Sequence, residues 1–227
     1  MIIQKVIDIA KVGVGKIIGI IFPTHPDITL LEHTTASEFR ALVPKASQGT
    51  ITEKWIYAIL GYSDPLVRTA IWELKYRGNT KIVDLLAQVV YEEIVSELSD
   101  LALFSSHEKV ILIPVPISPA RLRERGWNQT ELLAQKLTVL DSGTFFTLDT
   151  KSLLKIKDTP SQTKSKHRAE REKNLKGCFK VTHPEAIADK HILLLDDVCT
   201  TGSTLREARK TLLKAGARAV YAITVAH

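Results

Sequence analysis

The stretch HILLLDDVCTTGST, residues 191 to 204, decides the fold class of this 227-residue chain. An apolar run ends in Asp196 and Asp197, and small hydroxylated residues follow around Gly202. A helical pattern then runs from Ser203 to Ala215. A buried strand needs no charge, so the two aspartates are not expected to be packing residues. They stand at the carboxyl end of a strand, which is where an open α/β sheet binds ligands. The stretch predicts a strand, a ligand-binding loop and a helix.

The residues from Thr200 to Thr204 have the composition of a phosphate-binding loop. They can turn tightly and bring backbone N–H groups and hydroxyl groups to an anion, with a helix amino terminus directly behind them. Two carboxylates would repel a nearby phosphate unless they bind ribose hydroxyls or magnesium instead. The arrangement therefore suits a sugar phosphate better than a free phosphate. The alternative is a strand-to-helix turn whose acids are accidental.

Strands and helices alternate through much of the remaining chain, which predicts a parallel sheet. The further predicted strands are Val110 to Val115, Phe145 to Leu148, Ser152 to Ile156 and Arg218 to Val225. Residues 53 to 99 are predicted to be helical in three segments: Trp55 to Leu60, a segment capped by Asp64 with Pro65 in its first turn, and Ile82 to Leu98.

The first 52 residues are predicted to form a separate region, followed by the main domain over residues 53 to 227. Apolar residues at three- and four-residue spacing predict an amphipathic helix over residues 1 to 22. Its charges are too frequent for a membrane span, and it lacks signal-peptide features. Packing on its own domain, packing on a second copy in a homodimer, and lying on a membrane surface all stay open. Three prolines from Pro23 to Gly49 predict an irregular subdomain or linker, and His25, Asp27, His33 and Glu38 match no compact metal site.

The cysteines and the distribution of charge exclude several classes of protein. The only cysteines are Cys178 and Cys199, without a CxxC pair, which excludes a disulfide framework and a cysteine zinc site and favours a reducing cytoplasm. The net charge of +6 comes mostly from the segment between Lys155 and Lys176, which holds eight lysines or arginines and three acids. Its part between Ile156 and Gly177 is too polar for a core. The charge thus marks one basic stretch rather than a diffuse nucleic-acid surface.

A second cationic cluster follows the predicted strand that ends before Pro116. It contains Arg121, Arg123 and Arg125 and continues as Gly126-Trp127-Asn128-Gln129. Because of its place at the carboxyl end of a strand, we predict a second anion site here, with an exposed basic helix start as the alternative. Lys75 and Arg77 fit the last turn of a helix that Gly78 ends.

The quoted stretch is similar to the motif of type I phosphoribosyltransferases that binds 5-phosphoribosyl 1-pyrophosphate (PRPP), and the wider pattern resembles the ComF family, associated with DNA uptake in natural competence. The residues that carry this resemblance, over roughly 70 to 227, are Leu74 to Gly78, Ile113 to Pro116, Arg121, Arg125 to Gln129, Gln162, Arg168, Asn174 and Leu194 to Thr204. That family typically begins with a four-cysteine zinc module after a segment ending in Phe-Pro. Here Phe22-Pro23 is present and the cysteines are absent, so we expect no zinc.

The resemblance implies a type I phosphoribosyltransferase-like parallel sheet flanked by helices, with an N-terminal helical or irregular extension. It implies that Asp196 and Asp197 hold the ribose hydroxyls of PRPP. The 5-phosphate would be bound by Val198, Cys199, Thr200, Thr201, Gly202, Ser203 and Thr204. Pyrophosphate would be bound by Pro116, Arg121, Arg125, Asn128, Gln129, Lys75, Lys164, Arg168 and Arg171, with the segment from 157 to 174 as a closing loop. Mg²⁺ would arrive with PRPP, and no protein ligand to a metal is assigned.

Two functions remain open at this stage. One is a transferase that uses PRPP and Mg²⁺ to ribosylate an unknown acceptor; the other is a non-catalytic adaptor in DNA uptake that binds PRPP, nucleotide or single-stranded DNA, or proteins of the competence machinery. Thr200 stands where several purine-salvage members carry an acid, which argues against that chemistry. The segment from Lys155 to Lys176 has no aromatic residue, which argues against DNA binding through it. Cys199 is either activated by the helix behind it or simply small enough for the turn.

Overall fold

The computed structural model describes residues 26 to 47, 53 to 98, 109 to 158 and 175 to 227. The amphipathic helix predicted for residues 1 to 22 lies outside these residues. So do three of the predicted pyrophosphate-binding cations, Lys164, Arg168 and Arg171. None of the described helices combines the length and the apolar composition that a membrane span needs.

A five-stranded parallel sheet forms the centre of the fold. Its strands are β1 (Ile56–Leu60), β2 (Val110–Pro114), β3 (Phe146–Leu148), β6 (His191–Val198) and β7 (Ala219–Ala226), in the spatial order β1-β7-β6-β2-β3. Every neighbouring pair is parallel. Two short strands, β4 (Leu153–Lys155) and β5 (Phe179–Val181), form a separate antiparallel pair. The predicted α/β class is confirmed, with the quoted stretch as central strand β6.

Helices cover both faces of the sheet. They are α1 (Pro26–His33), α2 (Ala36–Leu42), α3 (Pro65–Tyr76), α4 (Thr80–Glu93), α5 (Pro119–Arg125), α6 (Gln129–Asp141), α7 (Pro184–Ile187) and α8 (Ser203–Lys214), with a π-helical turn at Ile94–Leu98. The start of α3 follows the prediction: Pro65 is its first residue, and the Asp64 carboxylate accepts hydrogen bonds from the backbone N–H groups of Leu66 and Val67.

Two hydrophobic cores lie on opposite faces of the sheet, because alternate residues of a strand point to opposite sides. Leu193 and Leu195 of β6 pack into the core that contains residues of α1 to α4 and α6. Ile192 and Leu194 pack into the core that contains residues of α8 and of the β4–β5 pair. Burial on both faces explains why β6 is apolar at each position from Ile192 to Leu195.

Two local predictions were wrong. The run from Trp55 to Leu60 is not helical, since Ile56–Leu60 is edge strand β1, paired with β7. Four of the five residues of β1 are buried, so the sequence shows no alternation of apolar and polar residues that would distinguish a strand from a helix. The extended conformation is stabilised by pairing with β7.

The segment from Pro23 to Gly49 is not irregular where it is described, because it forms α1 and α2. Thr35 starts α2 with a capping box: its Oγ1 accepts from the Glu38 N–H at 3.3 Å, and the Glu38 carboxylate accepts from the Thr35 N–H at 2.8 Å. Leu31 and Phe39 are buried in the same core as α3 and α4. The boundary at residue 52 stays a prediction.

Candidate functional site

The buried carboxylate of Asp197 joins three separate parts of the chain at the carboxyl end of β6. Asp197 is 5% exposed. Its Oδ1 lies 3.2 Å from the Lys75 ammonium at the end of α3, and its Oδ2 accepts a 2.7 Å hydrogen bond from the amide of Gln129 at the start of α6. A buried carboxylate is tolerated when it is paired and hydrogen-bonded in this way. The acidic pair therefore contacts two of the residues predicted to bind pyrophosphate.

Arg125 extends this network through Gln129. Its guanidinium donates a hydrogen bond to the Gln129 side-chain oxygen and lies over the Tyr76 ring, 5.1 Å from the ring centroid. The chain of contacts thus runs from Tyr76 through Arg125 and Gln129 to Asp197. The sequence motifs ending at Gly78 and Gln129 meet at one sheet edge.

Asp196 differs from Asp197 in its hydrogen bonding and in the pKa of its carboxyl group. The residue is half-buried as a whole, and its Oδ1 accepts a 2.9 Å hydrogen bond from the Asp197 N–H. Burial of the carboxyl group and the adjacent Asp197 charge raise the pKa of Asp196 to about 7, although Lys75 and Lys155 act in the opposite direction. Asp196 therefore keeps its proton to a higher pH than an ordinary aspartate does.

The raised pKa of Asp196 predicts an effect on stability with a definite sign. The ordinary pKa is 3.8, so the folded chain keeps a proton that the unfolded chain releases as pH rises from about 4 to about 7. Folding therefore weakens over this range. We expect Asp196→Asn to raise the thermal unfolding midpoint at pH 8 and to change it little at pH 4, as measured by circular dichroism. A lower midpoint for the variant at pH 8 would contradict this assignment.

The loop between β6 and α8 ends at Gly202, which precedes the helix as its amino-terminal cap residue. Gly202 has a φ of +71°, and no side-chain hydrogen bond caps the helix at this position. The hydroxyls of Thr201 and Ser203 lie 2.8 Å apart. The predicted order of strand, small loop and helix is confirmed, and anion binding at this helix amino terminus stays a prediction.

Cys199 is not an activated thiol. It is 4% exposed, and burial, reinforced by the charge of Asp196, raises its pKa to about 11. The thiol is therefore protonated at neutral pH. Of the two interpretations of Cys199, the structure supports the small residue that fits the turn, and the activating effect of the helix is outweighed by burial.

Sequence reasoning missed a cation at this loop, Arg206 in the first turn of α8. Its guanidinium donates a 3.1 Å hydrogen bond to the Ser203 hydroxyl and forms an ion pair with Glu53. A Cβ atom on Gly202 would lie 3.4 Å from the Arg206 guanidinium. The position of Arg206 four residues after Gly202 was a usable signal, because residues four apart share a helix face. Glu53 gave no such signal, since it is distant in sequence.

Lys155 lies in β4, inside the strand predicted from Ser152 to Ile156, and its side chain is buried although it is cationic. It is 8% exposed, and its ammonium lies 5.7 Å from the centroid of the Phe179 ring. Burial lowers the pKa of Lys155; the charge of Arg121 lowers it further, whereas that of Asp196 raises it. Lys155 therefore lies within electrostatic range of both the acidic pair and the arginine cluster.

Asn128 and Trp127 stabilise the short connection that follows Arg125, the last residue of α5. The buried Asn128 side chain accepts hydrogen bonds from the N–H and hydroxyl of Thr130 and donates one to the Val115 carbonyl. The Trp127 indole N–H donates to the Leu74 carbonyl at 3.3 Å. Asn128 thus has a structural role as a helix cap, and its contact with pyrophosphate stays a prediction, as do those of Pro116 and Arg121.

Across the described residues, no group of three or more histidine, cysteine, aspartate or glutamate side chains is arranged to hold a metal ion. A metal at this edge would thus need further ligands from a bound molecule. Carboxylate oxygens at a sheet edge, completed by phosphate oxygens, are the ligands that Mg²⁺ prefers in nucleotide and phosphate sites.

Comparison with known proteins relates the domain that carries this site to phosphoribosyl transferases. Residues 131 to 227, which include the acidic pair and the phosphate loop, match the phosphoribosyl transferase domain family. DNA utilization protein YhgH of Salmonella typhimurium is 28% identical over 165 residues, 73% of this chain and 68% of the relative. Competence protein ComFC of Bacillus subtilis is 27% identical over 70% of this chain and 58% of its own length. Competence protein F of Haemophilus influenzae is 36% identical over 46% of this chain and 44% of its own length.

The chain is therefore similar to competence-associated proteins of the ComF type. Its main domain has a type I phosphoribosyltransferase-like fold. Among solved structures, hypoxanthine phosphoribosyltransferase of Trypanosoma cruzi aligns over 64% of each chain at 12% identity and a TM-score of 0.40, a likeness too distant to bear on the function of this chain. The domain match begins after Lys75, Arg121, Arg125 and Gln129, so the roles of these residues depend on the geometry described above.

Proposed function

We propose that this protein binds PRPP, or a closely related ribose phosphate, together with Mg²⁺ at the carboxyl edge of its sheet. The observation that carries the proposal is the position of the acidic pair. Asp196 and Asp197 lie between a helix amino terminus without a side-chain cap on one side and the cations Lys75 and Arg125 on the other. A ligand with hydroxyls in its centre and phosphates at both ends matches that order of charges.

In this proposal the three parts of the ligand meet three parts of the site. The 5-phosphate binds to the N–H groups and hydroxyls from Val198 to Thr204, where the helix dipole favours an anion. The ribose hydroxyls donate to the acidic pair. The pyrophosphate group faces the cationic side, formed by Arg121, Arg125, Lys75 and the buried Lys155.

The acidic pair fits a magnesium ion that arrives with the ligand. Both oxygens of Asp197 already bind Lys75 and Gln129, whereas Asp196 accepts only a backbone hydrogen bond among the contacts described above. Asp196 is therefore the carboxylate we assign to the ion or its bound water. When bound, Mg²⁺ neutralises charge on the pyrophosphate group as it leaves.

We further propose that the bound ligand is a donor in phosphoribosyl transfer. The bond between the anomeric carbon and the pyrophosphate oxygen breaks as an acceptor atom bonds to that carbon, and the bonding electrons leave with pyrophosphate. The cations on the side of Arg121 stabilise the leaving group because they are already in place in a partly desolvated site.

A second candidate, non-catalytic ligand binding, is favoured by one observation on the loop. From Val198 to Thr204 no side chain is a carboxylate or a histidine, and the Cys199 thiol is protonated at neutral pH. The loop thus supplies no general base. Such a protein would act as a PRPP- or nucleotide-responsive adaptor in DNA uptake, in keeping with the names of the relatives ComFC and DNA utilization protein YhgH.

Pyrophosphate release distinguishes the two candidates. The full chain is incubated with PRPP, Mg²⁺ and a panel of purine and pyrimidine bases, and free pyrophosphate is measured over time. We expect release that depends on both Mg²⁺ and one acceptor class and that is lost in Asp196→Asn. Saturable PRPP binding without release for any acceptor would contradict transfer and favour the adaptor.

A further inference from the structure

Polar contacts connect the segment before β1 to the loop between β6 and α8. The Glu53 carboxylate, just before β1, forms an ion pair with the Arg206 guanidinium in the first turn of α8. The same guanidinium donates a 3.1 Å hydrogen bond to the Ser203 hydroxyl, which lies 2.8 Å from the Thr201 hydroxyl. We call Glu53, Arg206, Ser203 and Thr201 the loop network. It ties the proposed phosphate loop to a residue that is 153 positions away from Arg206 in the sequence.

The loop network is packed against the backbone of the loop. Ser203 is 6% exposed, and Gly202 before it is buried. A Cβ atom on Gly202 would lie 3.4 Å from the Arg206 guanidinium and 3.8 Å from the Glu53 carboxylate. Because the two charges are paired, together they add no net charge to the loop. Arg206 is therefore better placed to orient the loop than to attract a phosphate by its own charge.

The hydrogen atoms of the two hydroxyls can be counted from these contacts. A guanidinium only donates hydrogen bonds, so the Ser203 oxygen is the acceptor in its contact with Arg206. The Ser203 and Thr201 hydroxyls share one hydrogen bond, which uses one of their two hydrogens. Across the described residues, no side chain or carbonyl accepts the other hydrogen. One O–H donor of this pair is thus left over at the amino terminus of α8.

We propose that Arg206 is a positioning residue of the phosphate loop. Held by Glu53, it keeps the hydroxyls of Ser203 and Thr201 in the arrangement that directs the remaining O–H hydrogen to the 5-phosphate. The ligand class that fits is a phosphomonoester that has lost both acidic protons, because all three of its terminal oxygens accept hydrogen bonds. This inference rests on the proposed binding of a ribose phosphate at the same loop and adds the residues that determine its selectivity.

Calorimetry of the full chain with ribose 5-phosphate tests the role of Arg206. The variant with Glu53→Gln and Arg206→Met loses both charges together, so its net charge is unchanged while the donor to Ser203 is removed. We expect it to bind ribose 5-phosphate roughly three- to tenfold more weakly, the equivalent of one hydrogen bond. Pyrophosphate, proposed to bind at the other end of the site, should keep its affinity, whereas a general loss of structure would weaken both ligands.

Arg209→Met is the matched control on the same helix. Arg209 lies one turn after Arg206 and donates to the Val220 carbonyl at 3.0 Å, so its contacts are structural and do not involve the loop. This variant loses an arginine from α8, as the test variant does. Its affinity for ribose 5-phosphate should equal that of the unmodified chain, and circular dichroism checks the fold of both variants.

A double-mutant cycle with Ser203→Ala shows whether Arg206 acts through the hydroxyls. If it does, adding the Glu53 and Arg206 changes to Ser203→Ala should weaken binding by less than about twofold further. Additive losses would mean that Arg206 contacts the phosphate itself, and unchanged affinity in the charge-balanced variant would mean that it has no role; either result overturns the inference. If the unmodified chain fails to bind ribose 5-phosphate, the proposed phosphate loop is refuted as well, so the two failures are distinguishable.

Discussion

Replacing Asp196 and Asp197 together by asparagine is expected to abolish magnesium-dependent binding of PRPP while leaving the fold intact. Each carboxylate accounts for charge-assisted contacts worth about 1.5–3 kcal/mol, so losing two should weaken binding by about 100-fold or more. Asparagine keeps the shape of both side chains and the hydrogen-bonding capacity toward Gln129. Calorimetry with PRPP in magnesium buffer measures the loss, and circular dichroism checks the fold.

A matched control for this experiment is Asp189→Asn. Asp189 lies before the amino end of β6, away from the site, and its exposed carboxylate pairs with Arg218. The control loses a carboxylate, as each site variant does, without touching the site, so its PRPP affinity should equal that of the unmodified chain. Unchanged affinity in the Asp196 and Asp197 variant would refute the role of the acidic pair.

The second large effect is expected from Gly202→Ala. The left-handed backbone at Gly202 costs about 1–2 kcal/mol for alanine, and the new Cβ would lie 3.3 Å from Ile56 and 3.4 Å from the Arg206 guanidinium. Relief of this crowding shifts the loop and its N–H groups away from the phosphate. We expect the affinity for ribose 5-phosphate to fall roughly tenfold or more, because anion binding at a helix terminus depends on the placement of these groups.

Gly143→Ala separates this effect from general strain. Gly143 also has a left-handed φ, +78°, and its nearest atom is the flexible end of Lys109, 3.5 Å from the added Cβ. It lies in the turn between α6 and β3. Both alanine variants should lose stability, but only Gly202→Ala should lose affinity. Equal affinities of the two variants would mean that the loop at Gly202 does not bind the phosphate.

The central strand and its loop were predictable because their signals are local. The apolar run, the acidic pair and the small residues from Thr200 to Thr204 are contiguous, and each predicts its own conformation. The helix start at Asp64 and Pro65 is local in the same sense. Such features need no knowledge of the rest of the fold, which explains why their positions agree with the structure.

The parts that could not be predicted depend on contacts between distant residues. The pairing of Lys75 with Asp197 and the placement of Arg206 against Glu53 join residues that are far apart in the sequence. Edge strand β1 takes its conformation from pairing with β7, at the other end of the described chain. The burial of Lys155 arises because β4 pairs with β5 across a long connection. No local period encodes these contacts.

Calorimetric titration of the unmodified chain with PRPP, in matched buffers with and without Mg²⁺, tests the central claim most directly. Ribose 5-phosphate and pyrophosphate, titrated separately, show how much each end of the ligand contributes. The proposed site predicts one PRPP per chain, weaker binding without Mg²⁺, and weaker binding of either fragment than of PRPP. No detectable PRPP binding in magnesium buffer, or binding of pyrophosphate alone as tight as that of PRPP, would contradict the proposed ribose-phosphate site.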